Sequence, residues 1–209
     1  MDFLDVINTR KTIRKYEDFN PPIEDIKRII DSARLAPSAT NTQNWKFIAI
    51  IDEGVKQKML NVLENKYDEI ASWKESEPIK NKILFYRNYS TFFASAPVVI
   101  AAVLYPKESY ISDLYRAHGV TEEEFQEARP DSSLLSIGGA IENMSLTSHY
   151  LGYGTCWMCA PMVAAREFRK ILNLEEDAKI VSLLTLGKPV EPSPAQPKKK
   201  SLEEIMEII

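Results

Sequence analysis

Residues 96–104 read Ala-Pro-Val-Val-Ile-Ala-Ala-Val-Leu, and no other stretch constrains the fold as strongly. A nearly continuous apolar run of this length, opened by a proline, reads as a strand buried on both faces. Two further segments are strand-like: Trp45 to Ile51, turned by Asp52-Glu53-Gly54, and Ile180 to Leu186, stopped by Gly187-Lys188-Pro189. Helical periods lie between them. Phe3, Val6 and Ile7 make a short first stripe. Ile23, Ile26, Ile30 and Ala33 follow Pro21-Pro22 and stop before Pro37. Val55, Met59, Val62 and Lys66 continue the pattern, whereas residues 66–82 are polar and show no clear period. Ser132 to Leu151 reads as a long helix, and its small residues Gly138, Gly139, Ala140, Ser145 and Ser148 imply close approach by another element. Gly152 and Gly154 end it, and Val163 to Leu172 forms another helix. Few strands, intervening helices and no regular βαβ alternation predict an α+β fold rather than a doubly wound one.

Two segments stand apart from this frame. Residues 105–130 are polar, with helical patches at Ser112–His118 and Thr121–Arg129, and read as an excursion that could cover a site. Pro192 to Pro197 cannot join a sheet centre. From residue 189 onward the chain reads as an arm too extended to pack on its own domain, and so as one that wraps a neighbour. Ser201-Leu202-Glu203-Glu204 has capping-box spacing and predicts a short last helix.

Composition narrows the class. The 209 residues are 44% apolar and 27% charged, which argues against disorder and suits one domain with extensions over residues 1–209. A net charge of −4 gives no support for a nucleic-acid or anionic-membrane partner. No apolar run approaches the roughly 18–20 residues that span a bilayer. The start, Met1-Asp2-Phe3-Leu4-Asp5, is acidic and lacks the apolar core of a secretory signal. Cys156 and Cys159 are the two cysteines, too few for a disulfide framework, so a cytoplasmic location is the expectation.

Several constellations could carry chemistry. Arg10, Lys11 and Arg14 place three cations within five residues; they could bind a phosphate or form a solvated basic face. Lys198-Lys199-Lys200 poses the same choice near the other end. The loop from Ala36-Pro37-Ser38-Ala39 through Asn41 to Trp45 offers N–H groups and amides that could read the edge of a heterocycle, or could simply connect helix to strand. Cys156-x-x-Cys159 could be a redox dithiol, half a zinc site or two thiols without a role. With His118 and His149 as the only histidines, no metal site is expected, and Pro161 just after the pair argues against a thioredoxin-like dithiol. Neither a G-x-G-x-x-G nor a P-loop pattern is present, so a nucleotide would need a different kind of site.

These elements, taken in order, resemble the nitroreductase family. Basic-x-Thr12-x-Arg14 is followed by Ala36-Pro37-Ser38-Ala39-x-Asn41-x-Gln43-x-Trp45, then by Leu151-Gly152-Tyr153-Gly154-Thr155-Cys156-Trp157. Leu186-Gly187-Lys188-Pro189 and Lys198-Lys199-Lys200-Ser201-Leu202-Glu203-Glu204 complete the set, which spans almost the whole chain. The resemblance implies an α+β sandwich with a central, mostly antiparallel sheet flanked by helices. It implies a homodimer with swapped C-terminal extensions and two FMN molecules at the interface. By motif position Arg10, Lys11, Thr12 and Arg14 hold the phosphate and polar edge of the flavin, joined by Lys199. Pro37, Ser38, Ala39 and Asn41 contact it from the other subunit. Asn88 faces the pyrimidine ring, and backbone groups from Trp157 through Cys159 and Ala160 lie near its reactive edge.

The chain departs from the family pattern at Thr12, where serine is usual, and at Asn44, where proline is common. Lys199 stands for a common arginine, and Cys159 and Ala160 for glycine or an acidic residue. The implied activity is transfer of reducing equivalents from NAD(P)H through the flavin to a small acceptor such as a nitroaromatic or quinone. No side chain is needed as a nucleophile. Thiol–disulfide exchange at Cys156 and Cys159, and flavin binding without turnover, are the alternatives.

Overall fold

The structure is a computed structural model that describes residues 2–193 and 195–209. Four strands form one sheet in the order β1-β2-β4-β3, and every neighbouring pair is antiparallel. They are β1 (Trp45–Ile50), β2 (Val98–Leu104), β3 (Gly154–Met158) and β4 (Lys179–Gly187). The apolar run predicted to be buried on both faces is β2, and all seven of its residues are buried.

The alternation of β2 separates two cores. Val99, Ala101 and Val103 point into a cluster with Met59, Leu63, Phe93, Phe168 and Leu183. Val98, Ile100, Ala102 and Leu104 point the other way, onto Ile29, Ala33, Ile137, Ile141 and Met144. Burying a side chain of this size is worth about 1.5–3 kcal/mol. A polar residue at either parity would therefore cost one of the two layers, which is why the run contains none.

Among the described residues eight α-helices flank the sheet: α1 (Phe3–Thr9), α2 (Ile23–Arg34), α3 (Glu53–Ser72), α4 (Lys80–Thr91), α5 (Tyr110–His118), α6 (Glu122–Ala128), α7 (Ser132–Tyr150) and α8 (Ala165–Ile171). Their starts follow the sequence. Asp2 and Thr121 make capping boxes, and the Asp52 and Asp131 carboxylates accept the first free N–H groups of α3 and α7. Lys56 of α3 is 1% exposed, yet it is fully engaged. Its Nζ donates to Ala96 O at 2.7 Å and meets Glu53 Oε1 at 2.6 Å, tying α3 to the lead into β2. Buried charge survives only when paired in this way.

Three segments add to the sequence reading or depart from it. The residues without a clear period contain the end of α3, a 3₁₀ stretch over Lys74–Ile79 and the start of α4. In α4 only Ile83 and Ser90 are buried, so no apolar stripe announced it. The predicted last helix is a single turn, with Ser201 N donating to Glu204 Oε2 at 2.9 Å and Ile205 N to Leu202 O at 3.1 Å. The arm after residue 189, expected to need a neighbour, bonds its own chain. Val190 N donates to Lys15 O at 3.2 Å, and Gln196 Nε2 donates to Asn8 O and Arg10 O at 2.8 and 2.7 Å. Backbone carbonyls at the end of α1 need donors, and Gln196 supplies them.

Candidate active site

The basic segment after α1 is held by main-chain bonds along the outer edge of the sheet. Thr12 bridges Thr155 of β3, and Ile13 N donates to Thr155 O at 2.8 Å. Further on, Glu17 N donates to Lys188 O at 2.9 Å. Two motif glycines make room for this crossing. A Cβ on Gly154 would lie 2.5 Å from Ile13 Cγ1, and one on Gly187 would lie 2.8 Å from Pro97 and Tyr16. Their role is to let the cationic segment approach the sheet. Gly152, by contrast, ends α7 with φ +86°, a conformation that L side chains rarely adopt.

Beneath the segment, Tyr16 Oη bonds Ile13 O at 2.7 Å and Thr185 Oγ1 at 2.6 Å. Burial pushes the Tyr16 phenol far up, so it stays neutral and bridges the segment to β4. Above it the cations face outward. Arg10 Nε lies 3.4 Å from Glu142 of α7. Arg14 is exposed; its guanidinium sits 5.1 Å above the Tyr89 ring centre and donates to Tyr89 Oη at 2.6 Å. Tyr89 of α4 therefore orients Arg14, and sequence reasoning missed it because α4 carries no readable stripe. Asn88 is the exposed neighbour of Tyr89, so α4 does bring the predicted amide next to the residue that touches Arg14.

Pro37, Ser38, Ala39 and Asn41 occupy the loop between α2 and β1. Its shape depends on left-handed residues: Thr40 and Asn41 at φ 55° and Gln43 at φ 46°. Ser38 Oγ accepts from Gln43 N at 3.1 Å, Asn41 Oδ1 accepts from Gln43 Nε2 at 3.0 Å, and Ala39 N donates to Ser136 Oγ of α7 at 3.2 Å. Asn44 closes the loop. Its Nδ2 donates to Tyr105 O at 2.6 Å, while its own carbonyl accepts from Tyr105 N at 2.9 Å. The amide that stands in place of the family's proline thus pins the loop by hydrogen bonds instead of ring stiffness.

The loop and the basic segment do not meet within one chain. They flank α7 on opposite sides: the loop touches Ser136 and Arg10 touches Glu142, six residues later. At 3.6 residues per turn those two positions point about 120° apart. Leu135, Gly139 and Tyr150 fall in the sector between them, and all three are exposed. This sector separates the two halves of the predicted site.

Trp157, Cys159 and Ala160 lie at the end of β3 and just beyond it. Trp157 is 44% exposed and covers Gly138 of α7, so that glycine does have a close neighbour. Ala160 O accepts from Tyr67 Oη at 3.3 Å, and Cys159 and Ala160 border an apolar cavity shared with Ile83 and Tyr86. The two cysteines have different surroundings: Cys159 is exposed and Cys156 is buried. Burial pushes the Cys156 thiol up, against the pull of nearby Arg14. Lys199 is exposed on the arm, three residues after the Gln196 that bonds Arg10 O.

Comparison with known proteins bears on the family and the fold. The family model described as Nitroreductase family matches residues 7–188. A protein of Archaeoglobus fulgidus named putative NADH dehydrogenase/NAD(P)H nitroreductase is 28% identical over 195 residues, covering 89% of this chain and 84% of its own length. A BluB-like flavoprotein from Clostridium difficile 630 superposes with a TM-score of 0.90 at 28% identity, over 100% of this chain and 99% of that one. An oxidized iodotyrosine deiodinase bound to FMN and 3-iodo-L-tyrosine shares the fold, with a TM-score of 0.67 at 22% identity over 95% and 96% of the two chains. With the family model spanning nearly the whole sheet and both halves of the site, this chain belongs to the nitroreductase family.

Proposed function

We propose that the chain is a cytoplasmic, FMN-dependent oxidoreductase that works as a homodimer, taking reducing equivalents from NAD(P)H and passing them to a small acceptor of the nitroaromatic or quinone kind. The observation that carries this reading is the segment with Arg10, Lys11 and Arg14 laid along the sheet edge, held by the backbone of Thr12 and Ile13 on β3 and of Tyr16 and Glu17 on Pro189 and Lys188 just after β4. Such a donor set suits a phosphate monoester and the electron-rich edge of a ring. FMN has both, and FMN is bound in the deiodinase that shares this fold. When bound it supplies the hydride and electron chemistry; the protein's residues bind, orient and shield it.

In this reading Arg10, Lys11, Thr12 and Arg14 hold the phosphate and polar edge, with Tyr89 fixing the Arg14 guanidinium. Lys199 joins them from the arm, and Asn88 faces the ring from α4. The chain from Trp157 to Ala160 presents backbone donors at the other edge. Pro37, Ser38, Ala39 and Asn41 serve the site of the second subunit, because α7 keeps them from their own chain's cations. The exposed stripe of Leu135, Gly139 and Tyr150 is the surface on which two copies of α7 pair. A two-fold axis through that stripe sets the loop of each copy beside the cations of the other. Residues 1–209 act as one domain, and the excursion over 105–130 covers the shared cleft. The buried, disfavoured thiolate of Cys156 argues against thiol exchange as the reaction.

Subunit mixing tests the composite site. Arg14→Ala and Asn41→Ala homodimers each spoil both of their sites. After subunit exchange, each heterodimer regains one complete site, so about a quarter of all sites recover. Activity that stays at the sum of the two defective homodimers, with exchange verified by mass, would refute the two-subunit site.

A further inference from the structure

Between β2 and α7 the chain folds α5 and α6 over a polar cavity of about 380 Å³. Four cations line it, Lys107, Arg116, Arg129 and Lys179, and two of these, Lys107 and Arg129, bond serine hydroxyls. Lys107 Nζ donates to Ser132 Oγ at 2.6 Å, at the first residue of α7. Arg129 donates from Nε to Ser112 Oγ at 3.2 Å and from Nη2 to Ser109 Oγ at 3.4 Å. Among the described residues neither cation is paired with a carboxylate. The acids that share the wall are Asp113, Asp131 and Asp177, and two of them are engaged elsewhere. Asp131 Oδ1 accepts from Ser133 N and Leu134 N, and Asp113 lies 3.5 Å from Arg116.

Serine hydroxyls cannot neutralise these charges. Each lends a lone pair and keeps its own proton for another acceptor. Ser109 Oγ already takes bonds from Ser112 N, Ser112 Oγ and Arg129, which leaves its proton to donate. Lys107 stands at the positive end of a 19-residue helix, where the anion present, the capping Asp131 carboxylate, is bonded to the helix N–H groups. The wall therefore sets four cations against three carboxylates, and Lys107 and Arg129 meet only hydroxyl acceptors.

We infer that this cavity binds an oxyanion carried by one of the two small-molecule reactants, held by Lys107 and Arg129 and by the Ser109 and Ser132 hydroxyls. The inference rests on the proposed oxidoreductase activity for the identity of the reactants, and on the cavity alone for the anion. Its wall includes Tyr105 and Ser133, the two residues bonded by Asn44, so it adjoins the loop of Ser38 and Asn41. A phosphate of the pyridine nucleotide and a carboxylate on the acceptor share the required chemistry.

The test uses flavin-loaded wild-type protein and the Lys107→Gln, Arg129→Gln double variant. Calorimetric titration with inorganic phosphate should show binding that weakens at least about tenfold for each cation removed. In turnover, a KM increase confined to NADH and NADPH identifies a nucleotide phosphate as the occupant. An increase confined to 4-nitrobenzoate, with nitrobenzene unchanged, identifies an acceptor carboxylate. In either case kcat stays near the wild-type value. If the double variant does not fold, phosphate protection of Lys107 against acetylation in the wild-type protein gives the answer. Equal phosphate binding by folded wild type and variant, equal labelling of Lys107 with and without phosphate, or loss of phosphate binding without any KM change each overturns the inference. The phosphate titration and the labelling need no turnover, and they can be repeated in Arg14→Ala, so failure of the flavin reading would be seen separately.

Discussion

Replacing Gly154 with alanine sets a Cβ 2.5 Å from Ile13 Cγ1, 2.6 Å from its Cβ and 2.9 Å from its Cγ2. Carbon atoms pack best at about 3.5–4.0 Å, so the two chains must separate by roughly 1 Å. Ile13 has nowhere to withdraw. It is 4% exposed, and its N–H is bonded to Thr155 O, the residue after Gly154. The strain falls on the segment that carries Arg10, Lys11 and Arg14. Overpacking of this kind costs about 1–3 kcal/mol, which for a chain of this size lowers Tm by about 2–12 °C. A displaced cation that loses one charge-assisted bond to the phosphate forfeits about 1.5–3 kcal/mol, or tenfold or more in FMN affinity. Ile13→Ala removes two of the three crowding atoms. The double variant should therefore lose about 1 kcal/mol less than the sum of the single changes. The assays are thermal melting and FMN titration of the three variants. Full additivity, or a Gly154→Ala protein with wild-type Tm and FMN affinity, would show that the glycine does not serve this crossing.

Other expectations follow from single contacts. Asn44→Ala removes the donor to Tyr105 O and should destabilise the fold by about 1–2 kcal/mol in urea titration; an unchanged midpoint would mean the loop is pinned otherwise. The Cys156→Ser, Cys159→Ser double variant should keep its FMN and most quinone-reductase activity, at a stability cost of about 1–2 kcal/mol for the buried hydroxyl. Full FMN content with turnover lower by orders of magnitude would restore a role for the thiols. His149 sits below the usual imidazole pKa because of burial, with Arg10 and Lys11 adding to the effect. The unfolded chain therefore protonates first as pH falls. The stability His149 contributes is complete above the unfolded pKa of about 6.5 and is lost as pH drops through the folded value. His149→Gln should flatten that part of the stability–pH curve, and an unchanged slope there would contradict the assignment.

Where one residue type determines local structure, the sequence was legible. Pro97 followed by seven apolar residues could only serve a strand with a layer on each side. The predicted site residues fall in two groups on either side of α7, which motif order alone could not arrange in space. What escaped was written in contacts between distant, ordinary residues. Tyr89 lies on a helix with two buried positions, so no period flagged it. Asn44 registered only as a departure from a common proline, because its partner, Tyr105 O, lies 61 residues away. The arm looked unsupported because prolines exclude it from a sheet, yet one glutamine amide ties it to two carbonyls at the end of α1.

The central claim is that the cationic segment holds FMN for turnover, and the absorbance of the purified protein tests it most directly. The account predicts a yellow protein with about one FMN per subunit, bleached by NADH or NADPH in the absence of oxygen and recoloured by a quinone. Arg14→Ala should lose most of that colour on gel filtration. A colourless chain that fails to take up added FMN, while folded by circular dichroism, would contradict it.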